Sequence, residues 1–369
     1  MHDGLLKLTL PNDARLVAFA DDVAVVIVAK HLAEIHLTFH LIFEEIRRWM
    51  DAVGLTLAEH KTEAVLITSR KKVVTITLKV GDYELTFQPF IWYLGVMIDP
   101  RLNFKHVEHV AIKASWVRTL LSRLISNIEG SQQKRRALLS TVVTSVLNYG
   151  IPIWADALQF QKSRRKIAPV YRQSVLRVAS AYRIVSEDAV CVIAGMLSIE
   201  VLAEKRTRLY QRRRHTTLSP KDLREEERRN STSRWQVLWD TSAKGRWTQR
   251  LIPQLDIWLN RPHGEVNYYL TQMLSGHGCF RKYLHNFKLE EIPECPTCSG
   301  EGEDAEHVFF RCKRFAWLRS SWETTVKQRV PLEDLVKVMI SSKAAWDATS
   351  TFAAEVLEEL RREEQARRK

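Results

Sequence analysis

The sequence predicts an α+β N-terminal part, an antiparallel sheet plus a helix, followed by a mainly α-helical region and a small zinc-binding module. Three observations support this fold class. Short β-branched runs alternate with turn residues up to about residue 100, these runs stop after Pro100, and three of the five cysteines crowd between residues 295 and 312. Strands and helices repeat their apolar positions with different periods, so the change of pattern marks a change of structure.

The first predicted elements form a hairpin around Asp21 and Asp22, because the runs RLVAF and VAVVIV suit two antiparallel strands. The next segment, HLAEIHLTFHLIFEEIRRWMDAVG, has apolar residues at three- and four-residue steps and predicts a helix capped by Gly54. Strands are then predicted in EAVLIT and in VVTITLKV and YELTF around Gly81-Asp82, and IWYLGVMI follows as an apolar segment. Together these elements predict one sheet with a helix on at least one face.

After Pro100 the patterns predict helices. Two amphipathic stretches are HVEHVAIKASWVRTLLSRLI and QKRRALLSTVVTSVLNYG. A third, RRKIAPVYRQSVLRVASAY, must kink or begin at Pro169, which has no amide hydrogen to donate. The segment from Ser186 to Arg214 is interpreted as one further helix. Ser186 would be its N-cap, and a run of cations stands at the C-terminal end, where the helix dipole favours positive charge.

Two segments separate these helices from the cysteines. PKDLREEERRNSTS is charge-dense and predicts a solvated helix or a linker. The following tryptophans could stack on bases, but core packing is their default interpretation; they are Trp235, Trp239, Trp247 and Trp258. We therefore divide the chain into residues 1–100, 101–215, 216–290 and 291–369.

The cysteine cluster predicts a metal site. CPTCSGEGEDAEHVFFRC places Cys295, Cys298, His307 and Cys312 in a C-x2-C-x8-H-x4-C array. Mixed sulfur and nitrogen ligands favour Zn²⁺, and four protein ligands make a closed site with a structural role. Cysteines without metal are the simpler alternative, and His277 and His285 are alternative ligands.

The charge of the chain predicts a polyanionic partner. The formal net charge is +13 and the isoelectric point about 9.6. Nucleic acid fits best, an anionic membrane is second, and an ordinary basic surface is the alternative. The N-terminus lacks the pattern of a signal peptide, and no apolar run approaches the roughly 20 residues that span a bilayer. We expect an intracellular protein with no membrane partner.

Asp21 and Asp22 place two like charges at the tip of a hairpin. Adjacent aspartates are common in tight turns, because aspartate bonds its own backbone there. Apolar strands on both sides would instead hold the two carboxylates at the rim of a packed sheet, where a cation offsets their repulsion. Carboxylate oxygens suit Mg²⁺, and a pair of such ions supports in-line phosphoryl transfer.

Several motifs together carry a family resemblance. Phe19-Ala20-Asp21-Asp22 resembles the polymerase hairpin of reverse transcriptases, GLTLAEHKTEAVLI has the pattern that follows it there, and WYLGVMID resembles the primer-gripping element. With RRALLSTVVTSVLNYGIPIW, APVYRQSVLRVASAYRIVSEDAVCVIAG and GRWTQRLIP, they resemble the polymerases of non-LTR, LINE-like retrotransposons, most closely the insect type inserted in ribosomal DNA. The resemblance extends to about Phe315, and the CCHC array also matches the family.

The resemblance implies a role for each matching segment. Residues 1–100 would be the C-terminal part of the palm, 101–215 the helical thumb, 216–290 a connector and 291–369 the CCHC zinc-binding module with a C-terminal helix. The implied ligands for Mg²⁺ are Asp21 and Asp22, and Lys61 would lie near the incoming triphosphate. The implied primer contacts are Tyr93, Leu94 and Gly95. The thumb arginines that would bind phosphates are Arg135, Arg136, Arg164 and Arg165. For Lys61, the proposed primer contacts and the thumb arginines, the alternative interpretation is an ordinary surface or packing residue.

One feature of the family's palm is missing. The family has a further catalytic aspartate on an upstream strand, and neither Asp3 nor Asp13 lies in such a context. We expect the C-terminal part of a nuclear RNA-directed DNA polymerase, which adds nucleotides to a primer 3′-hydroxyl with two metals, inactive by itself. Its partners would be template RNA and primer or target DNA. The alternative is a non-catalytic, zinc-containing nucleic-acid-binding protein derived from such a polymerase.

Overall fold

The computed structural model describes residues 4–70, 77–102, 105–124 and 131–368. The chain divides into two compact units, unit 1 (Met1–His106) and unit 2 (Val107–Lys369). The finer division into four parts stays a prediction.

Unit 1 contains hairpins and one long helix among its described residues. The elements are β1 (Ala14–Phe19), β2 (Asp22–Ile27), α1 (Leu32–Ala52), β3 (Thr77–Val80), β4 (Tyr83–Thr86), β5 (Ile91–Tyr93) and β6 (Val96–Ile98), with 3₁₀ turns at Leu5–Lys7 and Glu59–Lys61. Antiparallel pairs join β1 to β2, β3 to β4 and β5 to β6, and no described strand joins two hairpins. The prediction of one sheet is therefore wrong for the described residues.

Helix α1 forms as its apolar pattern predicts. At its start the Glu34 carboxylate accepts the amide of His31 at 3.2 Å, and Gly54 beyond its end has a left-handed φ of +71°. On one side Ile42 and Ile46 pack against the β1–β2 hairpin, and on the other Phe43 packs against the β3–β4 hairpin. The helix thus holds two hairpins through separate apolar clusters.

The predicted strand EAVLIT does not form. Among the described residues its backbone is bonded only at isolated points: the Gln88 amide donates to the Ala64 carbonyl at 2.8 Å, and the Thr68 amide donates to the Pro100 carbonyl at 2.8 Å. A ladder needs a run of alternating bonds, which two single contacts do not supply. The hairpin at Gly81 is confirmed, although residues 73–76 of its predicted first strand lie outside the described residues.

Unit 2 is mainly helical. Its helices are α2 (His106–Ser122, which begins at the last residue of unit 1), α3 (Gln133–Asn148), α4 (Ile151–Trp154), α5 (Gln161–Ala179), α6 (Glu187–Ala194), α7 (Ile199–Arg213), α8 (Pro220–Thr241), α9 (Arg246–Leu251), α10 (Leu255–Leu259), α11 (Tyr268–Ser275), α12 (Arg281–Asn286), α13 (Ala316–Val326), α14 (Leu335–Ser341) and α15 (Lys343–Arg367). Within the described ranges, no single helix has the length and apolar character to cross a bilayer; α3 and residues 151–159 meet that test only as a pair bent by 50°.

The stretch predicted as one helix from Ser186 forms two. Ser186 caps α6 as expected, because its hydroxyl accepts the Ala189 amide at 3.3 Å. Gly195 then takes a φ of +69° and ends α6, and Ser198 caps the start of α7. A left-handed glycine lets the chain leave a helix without a Cβ clash, so one residue breaks the pattern.

Two other helical predictions are now resolved. Pro169 lies inside α5, which begins at Gln161, so the alternative in which it starts the helix is wrong. The charge-dense segment forms α8 rather than a linker, with Ser219 as its N-cap. Part of its charge faces α7, where Glu227 is buried, so this helix is not uniformly solvated.

Core packing is confirmed for Trp235, Trp239 and Trp258, all of which are buried. The indole NH groups of Trp239 and Trp258 donate to backbone carbonyls at 2.9 and 2.7 Å. Trp247 is half-buried and donates to a carbonyl at 2.8 Å. A buried indole needs such a partner for its NH, and Trp239, Trp247 and Trp258 each have one.

Candidate metal centre

The first two cysteines lie on a tight knuckle. The Cys295 amide donates to the Glu301 carbonyl at 2.8 Å, and the Glu301 amide donates to the Cys298 carbonyl at 3.2 Å. Glu294 and Gly302 form an antiparallel bridge around this loop. The short C-x2-C spacing and the returning chain thus present both thiols together.

The other two residues lie on a π-helical turn, His307–Arg311. The Cys312 amide donates to the His307 carbonyl at 2.7 Å, which is the i to i+5 bond of a π-helix. The Asp304 carboxylate accepts the His307 amide at 2.9 Å and starts the turn. The H-x4-C spacing is therefore one π turn, which brings residues five apart to the same side.

The four side chains converge on one point. Their ligand atoms all lie within 4.8 Å of one another. The Cys312 sulfur is 3.6 Å from that of Cys295 and 4.0 Å from that of Cys298. Zn–S bonds of about 2.3 Å in a tetrahedron place sulfurs about 3.8 Å apart, so the spacing fits. Within the described ranges no other His, Cys, Asp or Glu group of three or more could hold a metal.

The surroundings of His307 also fit a metal ligand. The residue is buried, and neither ring nitrogen has a hydrogen-bond partner among the described residues. A carboxylate oxygen of Glu301 lies 3.9 Å from Nδ1. A buried unpaired polar atom costs about 1–3 kcal/mol. Coordination by one nitrogen and a bond from the other to a carboxylate, as ligand histidines usually have, would offset that cost.

Local electrostatics differ among the ligands. The backbone amide of Lys313 donates to the Cys298 sulfur at 3.5 Å and lowers the pKa of that thiol. Burial raises the pKa of Cys312 to about 12, and burial lowers the pKa of His307. The imidazole is thus neutral near pH 7, as a ligand must be, whereas Cys312 must lose its proton to bind a metal.

A buried ion pair stabilises the ligand loop. Glu303 is 0% exposed, and its carboxylate accepts the Arg314 guanidinium at 2.8 Å and the Arg281 amide at 3.2 Å. Arg314 also donates to Glu363 on α15 at 2.7 Å. Burial raises the pKa of Glu303. The pair joins the residues before and after the π turn to the C-terminal helix.

The π turn also contributes to the core of unit 2. Phe309 is buried and makes edge-to-face contacts with Phe280 and Phe352, at ring-centroid distances of 6.1 and 5.9 Å. Trp322 of α13 stacks on Phe352 at 4.8 Å. Arg319 donates to the carbonyls of Phe309 and Cys312 at 3.3 and 3.0 Å. The candidate metal centre is therefore built into a larger apolar core.

The aspartate pair has a different setting. Phe19 pairs with Asp22, and Ala20 and Asp21 form the turn between β1 and β2, with a left-handed φ of +52° at Ala20. The predicted hairpin is confirmed, and both aspartates are exposed. Within the described ranges, no third acid, cysteine or histidine joins them in a group that could hold a metal.

The residues matched to the primer contact lie on a second tight turn. Tyr93 pairs with Val96, and Leu94 and Gly95 between them have φ of +47° and +74°. Two successive left-handed residues are typical of the type I′ turn, which suits a twisted hairpin. The structure thus makes a hairpin of the segment IWYLGVMI. Lys61 is exposed at the end of a 3₁₀ turn.

The four candidate arginines differ in exposure. Arg135 and Arg165 are exposed, and Arg164 is exposed but pairs with Glu200 at 3.1 Å. Arg136 is only 3% exposed and donates to two backbone carbonyls at 3.1 Å each, which argues against a phosphate-binding role. Its position on the buried face of α3 is visible in the spacing of Gln133, Arg136, Ser140, Val143 and Leu147.

The hairpins of unit 1, the helices of unit 2 and the Cys/His centre agree with the resemblance to the Pol proteins of non-LTR retrotransposons. Relatives agree with this. The chain is 24% identical over 384 residues to a "Retrovirus-related Pol polyprotein from type-1 retrotransposable element R1 2" of Nasonia vitripennis, covering 98% of this chain and 93% of the relative. The resemblance to R1-type proteins is confirmed.

Two longer relatives match a smaller share of their own length. A "Putative 115 kDa protein in type-1 retrotransposable element R1DM" of Drosophila melanogaster is 24% identical over 86% of this chain and 33% of its own length. A Pol polyprotein from element R1 of Bradysia coprophila is 23% identical over 82% of this chain and 32% of its own length. No family model and no solved structure matches the chain.

Proposed function

We propose that this chain is part of a retrotransposon RNA-directed DNA polymerase, and that unit 2 binds nucleic acid around a structural zinc ion. The observation that carries the proposal is the similarity to retrotransposon Pol polyproteins, which spans 98% of the chain in one relative. The net charge of +13 supports a polyanionic partner. In this proposal the partners are template RNA and primer or target DNA, and the protein acts in the nucleus.

Unit 1 would supply part of the polymerase site. The exposed carboxylates of Asp21 and Asp22 are suited to Mg²⁺, which supports attack of the primer 3′-hydroxyl on a nucleotide and departure of pyrophosphate. The roles of Lys61 and of the Tyr93–Gly95 turn remain those implied by the resemblance. Two divalent ions need more carboxylate than one pair supplies, so we propose that the chain alone does not synthesise DNA.

A primer-extension assay tests this. The purified chain, an RNA template, a labelled DNA primer, the four deoxynucleotides and Mg²⁺ should give no product above background, and Asp21→Ala should give the same result. Template-dependent extension that disappears in Asp21→Ala would show a complete site and contradict the proposal.

The zinc ion is proposed as structural. Cys295, Cys298, His307 and Cys312 would fill all four positions of a tetrahedral ion, which leaves no position for a water or a substrate. When bound, zinc would cross-link the knuckle to the π turn. The chain's own residues then keep the site closed, because three of the four ligands are buried.

Nucleic-acid binding by unit 2 can be tested through Arg164 and Arg165. Their change to Gln should weaken binding and flatten the slope of log K against log salt by up to about two units, because fewer counterions are released. The matched control is Arg329→Gln/Arg362→Gln, which removes two exposed cations at the other end of the sequence. A slope equal to that of the control would contradict a phosphate-binding role for the pair.

A non-catalytic, zinc-containing nucleic-acid-binding protein derived from such a polymerase is the second candidate. It is favoured by one observation, namely that within the described ranges the Cys/His centre is the sole converged metal-ligand group. The full coding transcript distinguishes the two candidates. A coding sequence that continues upstream into a strand with the further aspartate would support the polymerase, and its absence from the full transcript would support the binding protein.

A further inference from the structure

A run of cations, KRTRLYQRRR, covers the C-terminal half of α7 and its C-cap residue Arg214. The structure divides this run into two sets. Arg208 and Arg212 face α8. Each donates to the Glu227 carboxylate, at 2.8 and 2.7 Å, and Glu227 is only 1% exposed. These two arginines therefore hold α7 against α8 and have little capacity for an external ligand.

The second set has no acidic partner among the described residues. Arg206, Arg213 and Arg214 are exposed, and the described part of the chain provides no ion pair for any of them. With Tyr210 they follow steps of four, three and one residues, which place all four side chains on one face of the helix. Like charges on one helix face repel weakly, and an anion bound there would offset that repulsion.

Tyr210 indicates which anion fits. Tyr210 is 55% exposed, and the Arg214 guanidinium lies 5.9 Å from the centroid of its ring. Proteins that bind single strands combine cations that follow the backbone with an aromatic ring on which a base stacks. A duplex presents phosphates but keeps its bases stacked inside, so it has no base for the ring.

The length of the face is also suitable. Arg206 and Arg214 are eight residues apart, about 12 Å along the helix axis at a rise of 1.5 Å per residue. That distance is about three to four nucleotide steps at an axial rise of roughly 3.4 Å per nucleotide of a stacked strand. Arg206 at one end and the adjacent Arg213 and Arg214 at the other can therefore meet phosphates of one continuous segment.

We propose that the α7 face formed by Arg206, Tyr210, Arg213 and Arg214 binds single-stranded nucleic acid, with phosphates on the arginines and one base on the Tyr210 ring. The inference rests on the proposed function and names one surface on which it acts. An acidic protein segment would satisfy the cations but makes less use of an exposed Arg–Tyr stack.

The test uses the full chain with zinc added during purification. Fluorescence anisotropy measures binding of a labelled single-stranded oligonucleotide and of a duplex of equal length across a salt series. The variants are Arg206→Gln/Arg213→Gln/Arg214→Gln, Tyr210→Ala and Tyr210→Phe. The control Arg329→Gln/Lys343→Gln/Arg362→Gln removes the same charge from exposed cations that have no ion pair in the described structure.

The arginine triple should lower the single-strand salt slope by about two units, from three contacts at about 0.7 each, and the control should not. Tyr210→Ala should weaken single-strand binding about tenfold, with little effect on the duplex, and Tyr210→Phe should restore it. If the wild type binds and the triple behaves like the control, this inference fails and nucleic-acid binding stands. If an acidic peptide competes as well as the oligonucleotide, this inference also fails. A wild type that binds no nucleic acid contradicts both proposals.

Discussion

The Cys/His centre and the Asp21–Asp22 hairpin were both predicted to bind metal, and the structure supports them to different degrees. At the centre, a knuckle and a π turn bring four ligand atoms within 4.8 Å. At the hairpin, two exposed carboxylates lie on one turn with no third ligand from the described residues. The comparison shows that a short motif can place two ligands, whereas a complete site needs a second element that returns to the first.

The two sites also differ in what surrounds them. The centre is enclosed by Phe309, the Glu303–Arg314 ion pair and helices of unit 2. Cys295, His307 and Cys312 are therefore removed from water, whereas Cys298 is half-buried. The aspartates remain hydrated, and water stabilises their charges without a metal. Burial therefore favours a bound ion at the proposed centre, whereas hydration is sufficient for the hairpin.

The largest expected effect is loss of zinc from the centre. The wild-type chain should contain about one zinc ion, and Cys298→Ser should contain almost none, because a structural site uses all four ligands. Unfolding of unit 2 should then begin at least about 10 °C lower, since several kcal/mol of metal binding energy are lost. Elemental analysis and thermal unfolding measure the two quantities.

The control for that change is Cys279→Ser, a half-buried cysteine outside the cluster. It should keep the zinc. If Cys298→Ser retained full zinc, or if His307→Ala left the metal in place, the ligand assignment would be wrong, and His277 or His285 would become candidates.

The next expected effect is on pH. Burial raises the pKa of Cys312 to about 12 without metal, so zinc must displace its proton throughout the neutral range. The lowered pKa of His307 means that imidazole adds no proton release near pH 7. Zinc affinity should therefore fall as pH falls, about tenfold per pH unit for each thiol proton displaced.

The stability of the zinc-bound fold should depend on pH in the same direction as the zinc affinity. Its thiolates bind no protons, whereas the unfolded thiols, with ordinary pKa values of about 8.5, are protonated below that pH. The unfolded state thus holds more protons, and stability rises with pH. Competition with a chromophoric chelator between pH 6 and 8 checks the affinity. A pH-independent constant would show that the thiols are not the ligands.

A smaller effect is expected from the ion pair beside the centre. Arg314→Ala leaves the Glu303 carboxylate buried without its cation and should lower the free energy of unfolding of unit 2 by about 3–5 kcal/mol. The exposed Lys337–Asp334 pair provides a control, and Lys337→Ala should cost less than about 1 kcal/mol. Urea unfolding measures both. Equal effects would show that burial does not strengthen the Glu303–Arg314 interaction.

The smallest effect is expected at the hairpin. Asp21→Asn/Asp22→Asn removes two exposed charges and should change the stability of unit 1 by less than about 0.5 kcal/mol. Millimolar Mg²⁺ should not stabilise the wild type relative to this variant. Magnesium-dependent stabilisation of the wild type alone would show that the pair binds metal without a third carboxylate, and the contrast with the Cys/His centre would disappear.

Local patterns account for much of what the sequence predicted correctly. The period of α1, the hairpin around the aspartates and the Cys/His spacing each depend on residues near one another in the chain. The H-x4-C spacing is an example, because one π turn is sufficient to bring its two ligands together. In contrast, the number of strands in a sheet depends on pairing between distant segments, and there the prediction of one sheet was wrong.

The partners of the charged residues were decided only by the tertiary structure. Arg136 is buried because a carbonyl 130 residues away, that of Val266, accepts its guanidinium. Arg208 and Arg206 are only two residues apart. Arg208 is paired because Glu227 of α8 faces its side of α7, whereas Arg206 has no ion pair among the described residues. The sequence by itself determined where cations are dense and which spacing can close around a metal. Which cations are left for a ligand depends on the packing of helices, since a charge is neutralised by its neighbours in space, whatever their distance along the chain.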